Sequence, residues 1–437
     1  MRHWAKDSSQ WTRCSRAWTT DLCTWYSTGL AAGTNQLVIP MEQTDVAEAT
    51  KEIQTMKILF VSDQFFDANN GMTISARRFA EVLRKHGHEV KPLCTATSEQ
   101  SEYPLETFHV PVFDKLITEQ GMKFAKWNDV ETIRKAVQWA DIVHMYVPFA
   151  LTNVTTKQCI ELGKPFTMAF HVQPENISSS IHLGEAKGIN DFIYWLFKKW
   201  NYKYATHIHC PSRMIANQLE EHGYKAKIHV ISNGIDPDFV YRKIPKTKEL
   251  EPYFNILMVG RYSIEKRQDT IIEAVGLSKY KDRIQLILAG QGPREEYLRE
   301  KGSKLPVKPI MKFFTKPDLL DVIAMCDLYV HASYAEIEAM SCMEAFAGGL
   351  IPIIASSPIS ATPQFALCPE SLFPVDDAQA LADRIDWWIE HEDYRKQMEH
   401  EYAQSAKKYS LDACTTQMEE MFQEAIDDFE KQKALGR

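Results

Sequence analysis

The sequence lacks long apolar runs, paired cysteine motifs and the two common glycine fingerprints for phosphate binding. No stretch of eighteen consecutive apolar residues occurs, and a membrane-spanning helix needs about that length. The nine cysteines form no C-x-x-C pair, which indicates a reducing, cytoplasmic setting rather than a disulfide framework or a cysteine zinc site. Neither G-x-G-x-x-G nor G-x-x-x-x-G-K-[ST] is present, which argues against a dehydrogenase or a P-loop enzyme.

Excess positive charge is also missing. The 437 residues include 50 Lys and Arg against 58 Asp and Glu, a formal net charge of −8. This balance argues against general nucleic-acid binding. A hydrophobic content of 45% in a chain of this length is enough for two domains with cores of their own.

The first 55 residues differ in composition from the rest of the chain and precede a second methionine, Met56. Tryptophan recurs there at every seventh position, at Trp4, Trp11, Trp18 and Trp25. On a helix these side chains would share one face, so one interpretation is a membrane-surface anchor. Dense Ser and Thr favour the other interpretation, that residues 1–55 are a disordered leader or a non-native extension.

From Met56 onward, apolar runs of strand length alternate with amphipathic helical segments. Such alternation predicts parallel, doubly wound sheets. We expect an α/β protein with two Rossmann-like domains facing across a cleft and C-terminal helices packing back on the first domain. The expected parts are domains over 56–240 and 255–405, a linker over 241–254 and a C-terminal helix over 406–437.

Chemically useful side chains follow several of these strands. The stretch GRYSIEKRQD places Arg261 and Lys266 beyond a glycine turn, and two cations there suit a diphosphate. The alternative is a solvated basic loop paired with Glu265. The neighbouring turn AGQGP contains Gly290 and Gly292, where glycine would let the backbone approach a ligand.

Three further residues stand at or beyond the ends of predicted strands. His171 closes FTMAFHV, where it could bind a hydroxyl, carry a proton or serve only as a structural histidine. Glu336 and Glu344 flank the strand-to-helix turn after LYVHA. They suit a ligand crevice, although simple charge compensation at a helix N-terminus is the alternative.

Several motifs occur in a characteristic order: KILFVSD with Gly71, RKHGHEV, CPS, VISNGID, GRYSIEKRQD, AGQGP, and an E-x7-E pair followed by AGGLIPIIA. From Met56 to the C-terminal helices, the chain thereby resembles the retaining, nucleotide-sugar-dependent glycosyltransferases of family four, which have the GT-B fold. The resemblance implies an acceptor domain followed by a nucleotide-sugar domain.

The resemblance also implies roles for individual residues. Arg261 and Lys266 would hold the donor diphosphate, and Glu344 would bind the ribose. Of the two implied catalytic residues, Glu336 would contact the transferred sugar, and His171 would lie near the reacting sugar and phosphates. The implied donor-binding set is Gly71, Arg261, Lys266, Gly292 and Glu344.

The sequence departs from the family pattern after its first glutamate, where the usual E-G-F-G reads E-I-E-A. Glu338 is therefore an additional carboxylate without an implied role. No Asp-x-Asp motif stands at a predicted strand end, so we expect transfer without a metal or other cofactor. The expected reaction moves a hexosyl group from UDP-glucose or a similar donor to a lipid or glycan. A sugar-nucleotide epimerase and a non-catalytic sugar-nucleotide-binding protein remain the alternatives.

The predicted helix INDFIYWLFKKWNYKYA interleaves aromatic residues with lysines. Such a surface suits an anionic membrane interface, whereas the alternative is an ordinary amphipathic helix with its aromatics in the core. The expected membrane or acceptor residues are Trp195, Lys198, Lys199 and Trp200. With QPEN after His171, the helix makes the chain similar to bacterial diacylglycerol glucosyltransferases. This similarity implies a diacylglycerol-like acceptor and a peripheral position on the inner face of the cell membrane.

Overall fold

The computed structural model describes residues 55–67, 71–109, 123–180 and 187–436. Apart from Thr55, the predicted leader over 1–55 lies outside the described residues. Among the residues described, no helix is both long and apolar enough to cross a membrane. The seven cysteines within these ranges are all free, in agreement with the absence of paired cysteine motifs.

The first sheet contains seven parallel strands in the order β3-β2-β1-β6-β7-β8-β9. Their bounds are β1 (Lys57–Val61), β2 (Glu89–Thr95), β3 (Tyr103–Leu105), β6 (Ile142–Met145), β7 (Phe166–Ala169), β8 (His207–Cys210) and β9 (Lys227–Val230). A separate antiparallel pair is formed by β4 (Thr107–Phe108) and β5 (Phe124–Ala125). The central strands are buried along nearly their whole length, because a parallel sheet is covered on both faces.

Helices connect and cover the strands of this sheet. They are α1 (Gly71–Lys85), α2 (Val130–Trp139), α3 (Ala150–Leu162), α4 (Pro174–Ser180), α5 (Lys187–Trp200) and α6 (Arg213–Glu221). Local sequence fixes several of their ends. Asp129 accepts a hydrogen bond from the backbone N–H of Thr132 and so caps α2. Gly163 ends α3 with a left-handed φ of 61°.

The second sheet contains six parallel strands in the order β12-β11-β10-β13-β14-β15. They are β10 (Phe254–Val259), β11 (Ile284–Ala289), β12 (Ile310–Lys312), β13 (Leu328–His331), β14 (Pro352–Ser356) and β15 (Leu372–Pro374). The helices around them are α7 (Gln268–Leu277), α8 (Glu295–Gly302), α9 (Lys316–Met325) and α10 (Met340–Ala347). β10 begins at Phe254, the last residue of the predicted linker 241–254.

Three helices complete the chain: α11 (Ala378–Glu390), α12 (Glu392–Ser405) and α13 (Leu411–Ala434). The first two pack with the second sheet, whereas α13 returns to the first. Met418 and Phe422 of α13 share a buried core with Phe60 and Phe79. The predicted two-domain fold with a returning C-terminal helix is therefore confirmed.

The chain reverses its direction of strand addition between β1 and β6 in the first sheet, and between β10 and β13 in the second. Such switch points open a crevice at the carboxyl ends of the strands. The residues after β10 and β13 therefore lie at the place where this fold binds ligands. The short elements β3 and α4 were not predicted, because segments of three and seven residues carry little periodicity.

Candidate active site

Two neighbouring turns follow β10 and β11 at the edge of the second sheet. A Cβ atom placed on Gly290 would lie 2.0 Å from the carbonyl oxygen of Gly260, and one on Gly292 would lie 2.6 Å from that of Tyr262. Glycine is therefore required by the close contact between the turns themselves. Donor binding by Gly292 stays a prediction.

The two predicted diphosphate-binding cations differ in their surroundings. Arg261 is exposed, and within the described ranges its guanidinium has neither a hydrogen bond nor an ion pair. The Arg261 carbonyl accepts a 2.7 Å hydrogen bond from Nε2 of Gln268, which fixes the turn. Lys266, in contrast, is mostly buried, and its Nζ lies 2.6 Å from Oε2 of Glu336.

Glu336 is held ionised by its neighbours. Burial opposes its charge, but Lys266 and His331 lower the pKa of the Glu336 carboxyl to about 2. Nε2 of His331 lies 3.4 Å from Oε2 of Glu336. Glu336 is thus a carboxylate at neutral pH, and Lys266, whose pKa is raised by Glu336 against the effect of burial, is an ammonium.

The loop that carries Glu336 meets the loop that carries His171. The carbonyl oxygen of Ile359 accepts a 3.3 Å hydrogen bond from the backbone N–H of Glu336. The same oxygen accepts a 3.4 Å hydrogen bond from Nε2 of Gln173, which follows His171 by two residues. The structure therefore brings the loops of the two predicted catalytic residues together, although they belong to different sheets.

His171 lies in a cluster of buried aromatic rings. Its ring stacks on that of Tyr146, with 5.7 Å between the ring centroids, and meets that of His209 edge-on, with 5.1 Å between the centroids. Nε2 of His171 is buried, and no described residue hydrogen-bonds to it. Burial and the neighbouring His209 lower the pKa of His171 well below its usual value. The neutral ring can donate a hydrogen bond to a ligand or accept one from it, but it does not supply a positive charge.

Glu344 is paired with Arg78, a residue that the sequence did not single out. Nη1 of Arg78 lies 3.0 Å from Oε1 of Glu344, and Nη2 lies 3.3 Å from Oδ2 of Asp236. Burial raises the pKa of Glu344, while Arg78 opposes this effect. Arg78 lies on the ordinary amphipathic helix α1, so nothing in the local sequence distinguishes it from a surface arginine.

A lysine joins the same group of charges. Nζ of Lys316 lies 2.7 Å from a carboxylate oxygen of Asp236 and 2.7 Å from one of Asp238. These two carboxylates form an Asp-Pro-Asp sequence in the connection after β9, rather than at a strand end. A cationic side chain thus occupies the space between them.

The residues that depart from the family pattern after Glu336 connect the two halves of the protein. The first half is the part built on the first sheet, and the second half is the part built on the second sheet. Oε2 of Glu338 accepts hydrogen bonds from the backbone N–H and from Nδ2 of Asn233, at 2.8 and 2.7 Å. Oδ1 of Asn233 in turn accepts a 2.7 Å hydrogen bond from Ser75 on α1. Ile337 packs against the core of the first sheet. Ile337, which stands in place of the first usual glycine, and Glu338, which stands in place of the usual phenylalanine, therefore attach this loop to the first half.

Two helices begin close to one another at the cleft. A Cβ on Gly71, the first residue of α1, would lie 3.7 Å from Sδ of Met340, the first residue of α10. Residues 68–70, which include the rest of the predicted glycine loop, lie outside the described residues. The first turns of both helices present backbone N–H groups and the positive ends of their dipoles. Such groups favour an anion.

A cavity of about 840 Å³ opens between the halves beside the Glu336 loop. From the first half, α4, α5 and α6 contribute polar side chains, and the second half contributes the segment 358–361. Ser360 of that segment is bridged to Glu336. The residues that line the cavity include Glu175, Asn190, Asp191, Arg213, Tyr334 and Ile359.

The helix α5 presents an apolar surface to solvent. Its exposed large side chains are Phe192, Trp195, Leu196 and Trp200. Trp195 is 48% and Trp200 43% exposed, whereas Tyr194 and Phe197 are buried. Nζ of Lys199 lies over the Trp195 ring at 5.0 Å. The predicted aromatic residues thus divide, with some entering the core and others forming an exposed surface.

Lys198 differs from its neighbours. Its Nζ donates a 2.7 Å hydrogen bond to the carbonyl oxygen of His222, just beyond the end of α6. This half-buried ammonium satisfies the C-terminus of α6, so it is less available than the exposed Lys199 for the predicted contact with a membrane or an acceptor. Helical periodicity alone could not reveal this, because the partner lies on another helix.

Two protein-family models match successive parts of this chain. The family model described as "Glycosyltransferase Family 4" matches residues 69–239, and that described as "Glycosyl transferases group 1" matches residues 241–408. The alpha-monoglucosyldiacylglycerol synthase of Streptococcus pneumoniae is 24% identical over 321 residues, which cover 69% of this chain and 71% of that protein.

Solved structures resemble the chain as well. HepE from Anabaena, in complex with UDP and glucose, has a TM-score of 0.63 and 17% identity, covering 84% of this chain and all of that one. The catalytic domain of cholesterol-alpha-glucosyltransferase from Helicobacter pylori is 48% identical over 36% of this chain and 99% of that one, with a TM-score of 0.35. With family models matching both halves and the two-sheet fold in agreement, this chain belongs to the family 4 glycosyltransferases, which transfer a sugar from a nucleotide sugar and have the GT-B fold.

Proposed function

We propose that this protein is a retaining hexosyltransferase that moves a hexosyl group, glucose from UDP-glucose in the first instance, to a hydroxyl group of a membrane lipid. The observation that carries the lipid acceptor is the double role of α5. Asn190 and Asp191 of this helix line the cavity beside the Glu336 loop, while Trp195 and Trp200 are exposed on its surface.

The donor half of the proposal rests on the charges beyond β10 and β13. Lys266 is an ammonium next to Glu336. Arg261 stands in the same loop and is exposed, and its guanidinium has no partner among the described residues. The N-termini of α1 and α10 add backbone N–H groups. In this proposal the donor diphosphate binds among these groups, and Glu344 takes the ribose in place of its present contact with Arg78.

The acceptor half rests on the geometry of α5. Aromatic side chains next to lysines suit the interface between lipid headgroups and acyl chains, and Lys199 and Lys203 favour anionic lipids. A lipid that enters from such a surface would reach a cavity lined by the same helix. The relative named alpha-monoglucosyldiacylglycerol synthase supports a diacylglycerol-like acceptor.

The chemistry follows from where charge develops. Cleavage of the glycosyl bond leaves negative charge on the diphosphate, which cations already in position stabilise. Lys266 and Arg261 are the proposed cations, so we propose that transfer needs no metal. Neutral His171 would hydrogen-bond a hydroxyl of the reacting sugar. The ion pair with Lys266 makes Glu336 a poor nucleophile, which supports retention by attack from the donor's leaving-group face.

The decisive experiment incubates the full chain with UDP-, GDP- and ADP-glucose and with vesicles that contain single-hydroxyl lipids. Diacylglycerol and cholesterol serve as separate lipid acceptors, and a soluble oligosaccharide serves as the glycan acceptor. Mass spectrometry identifies the product, and NMR of its anomeric proton gives the configuration. A parallel series with EDTA tests the metal requirement.

We expect an α-configured glycolipid from UDP-glucose and unchanged rates in EDTA. A β-configured product would overturn retention, and sugar transfer to the oligosaccharide alone would overturn the lipid acceptor. Epimerised donor without transfer, or donor binding without turnover on every acceptor, would overturn the proposal as a whole.

A further inference from the structure

A cluster of metal-ligating side chains lies away from the cleft, where α13 crosses the edge of the first sheet. His207, His229 and Glu424 each offer one ligand atom, and these atoms all lie within 4.8 Å of one another. In the parallel pairing of β8 with β9, His209 stands opposite His229. His207 lies two residues before His209, so both ligand histidines belong to the same face of the sheet.

The two histidines are already close to a ligand geometry. Nδ1 of His207 lies 2.9 Å from Nε2 of His229. The centroids of the two rings are 5.2 Å apart, and the ring planes make an angle of 26°. Around a tetrahedral Zn²⁺ with bonds of about 2.0–2.1 Å, neighbouring ligand atoms are about 3.3 Å apart. Movement of a few tenths of an ångström would therefore admit an ion between these two nitrogens.

The helix α13 supplies the carboxylates. Glu424 lies on the same side as the histidines, and Oδ2 of Asp428, one turn later, lies 3.5 Å from Nε2 of His207. The side chain of His207 is only 2% exposed, whereas that of Glu424 is 37% exposed. The cluster is thus buried at His207 and open to solvent at Glu424, where an ion can enter.

We propose that His207, His229 and Glu424 form a binding site for a divalent transition metal of the Zn²⁺ type. Two imidazoles and one carboxylate are the ligand types that such ions take, with a fourth position left for water. The ion replaces the proton that now lies between the two imidazoles, and this proton is released to solvent. The site is separate from the donor site, to which the proposal of metal-free transfer refers.

Lys227 opposes metal binding in the present arrangement. Its ammonium is paired with Glu424, so an incoming cation must compete with it for the carboxylate. Removal of this ammonium frees Glu424 without taking away a ligand. This neighbour therefore supplies a variant that the proposal expects to bind the metal more tightly.

The site would fasten α13 to the first sheet. α13 follows the helices on the second half in the chain and returns to pack on the first half. An ion that joins β8 and β9 to Glu424 stabilises this return, because it binds the docked helix and not the unfolded chain. Metal binding should then raise the thermal stability of the whole protein.

The test measures Zn²⁺ binding to the full chain, without an affinity tag, by equilibrium dialysis and by calorimetry. We expect one tightly bound ion per chain and a rise in Tm with Zn²⁺. His229→Asn and Glu424→Gln should each weaken binding roughly tenfold or more, since loss of even an outer-shell partner has an effect of this size. Lys227→Met should strengthen binding.

The control is His391→Asn, which removes an exposed histidine on the second half and should bind as the unaltered protein does. Circular dichroism without metal establishes that each variant is folded. Equal binding by His229→Asn and the unaltered protein would overturn the proposal. No binding of Zn²⁺ or Co²⁺ to either the unaltered protein or Lys227→Met would do the same, and would leave a plain hydrogen bond between the histidines.

Discussion

Arg78 and Glu344, which stand 266 residues apart in the chain, form a 3.0 Å ion pair across the two halves of the protein. Glu344 is the carboxylate proposed to bind the donor's ribose. Without donor, its charge is stabilised by a residue from the opposite half. Donor binding and the contact between the halves therefore involve the same carboxylate.

A double-mutant cycle tests this coupling. Arg78→Met and Glu344→Gln are each expected to destabilise the protein, and the double variant less than the sum, with a coupling energy of roughly 1–3 kcal/mol. Urea unfolding of the four proteins measures it. As a control, Glu420→Gln changes an exposed glutamate and should not couple to Arg78→Met. Additive effects of Arg78→Met and Glu344→Gln would contradict the pairing.

The two proposed diphosphate cations should matter for transfer. Arg261→Ala and Lys266→Ala are each expected to lower kcat/KM roughly 100- to 1,000-fold, about 3–4 kcal/mol, because each removes a preorganised charge from the leaving group. Steady-state kinetics with UDP-glucose measures the loss.

Lys266→Ala also leaves Glu336 buried without its partner, so its Tm must be compared with that of Arg261→Ala. Lys279→Ala removes an exposed lysine paired with Glu390 and should retain full activity. Full activity of Arg261→Ala, whose guanidinium contacts no charged or hydrogen-bonding partner among the described residues, would refute the role of that residue.

The buried Glu338 predicts a specific pH dependence of stability. Burial raises the pKa of Glu338 from 4.5 to about 7. The protonated acid therefore favours the folded state: its contribution is fully present below pH 4.5 and is lost as the pH rises through about 7. The step from 4.5 to about 7 is worth roughly 3 kcal/mol.

Glu338→Gln imitates the protonated acid and should lose less stability between pH 5 and pH 8 than the unaltered protein. Thermal unfolding at a series of pH values measures the difference, with Glu420→Gln as the exposed control. Parallel pH profiles for Glu338→Gln and the unaltered protein would show that Glu338 does not titrate in this range.

The exposed surface of α5 predicts membrane binding. Trp195→Ser and Trp200→Ser should reduce flotation with anionic vesicles, since both remove exposed aromatic area. Lys199→Ser should weaken binding mainly at low salt. Phe313→Ser is the matched control, because Phe313 is an equally prominent aromatic side chain, 61% exposed, on the second half. Equal loss in all four variants would argue against a specific role for α5.

Much of the site's framework was predictable from local sequence. Buried apolar runs such as those of β1 and β10 alternate with helices, and this pattern indicates parallel sheets whose carboxyl ends bear the ligand crevice. Arg261, Lys266 and Glu336 stand in the loops that follow such strands. Their position at the cleft follows from the direction of the strands, without any knowledge of long-range contacts.

Other contacts around the site depend on the tertiary structure alone. The pairing of Lys198 with a carbonyl at the end of α6, and the hydrogen bonds between Asn233 and Glu338, depend on how separate helices and loops meet. Neither leaves a periodic signal in the sequence.

By itself, the sequence determined the two-sheet architecture and the glycine and charged residues at the strand ends, because hydrophobic periodicity and turn chemistry act over a few neighbouring residues. The tertiary structure alone decided that Arg78 meets Glu344, that Ile359 joins the His171 and Glu336 loops, and that α5 serves both a cavity and an exposed surface. The physical reason is that these contacts join segments far apart in the chain, where packing of whole elements, rather than local preference, sets which side chains meet.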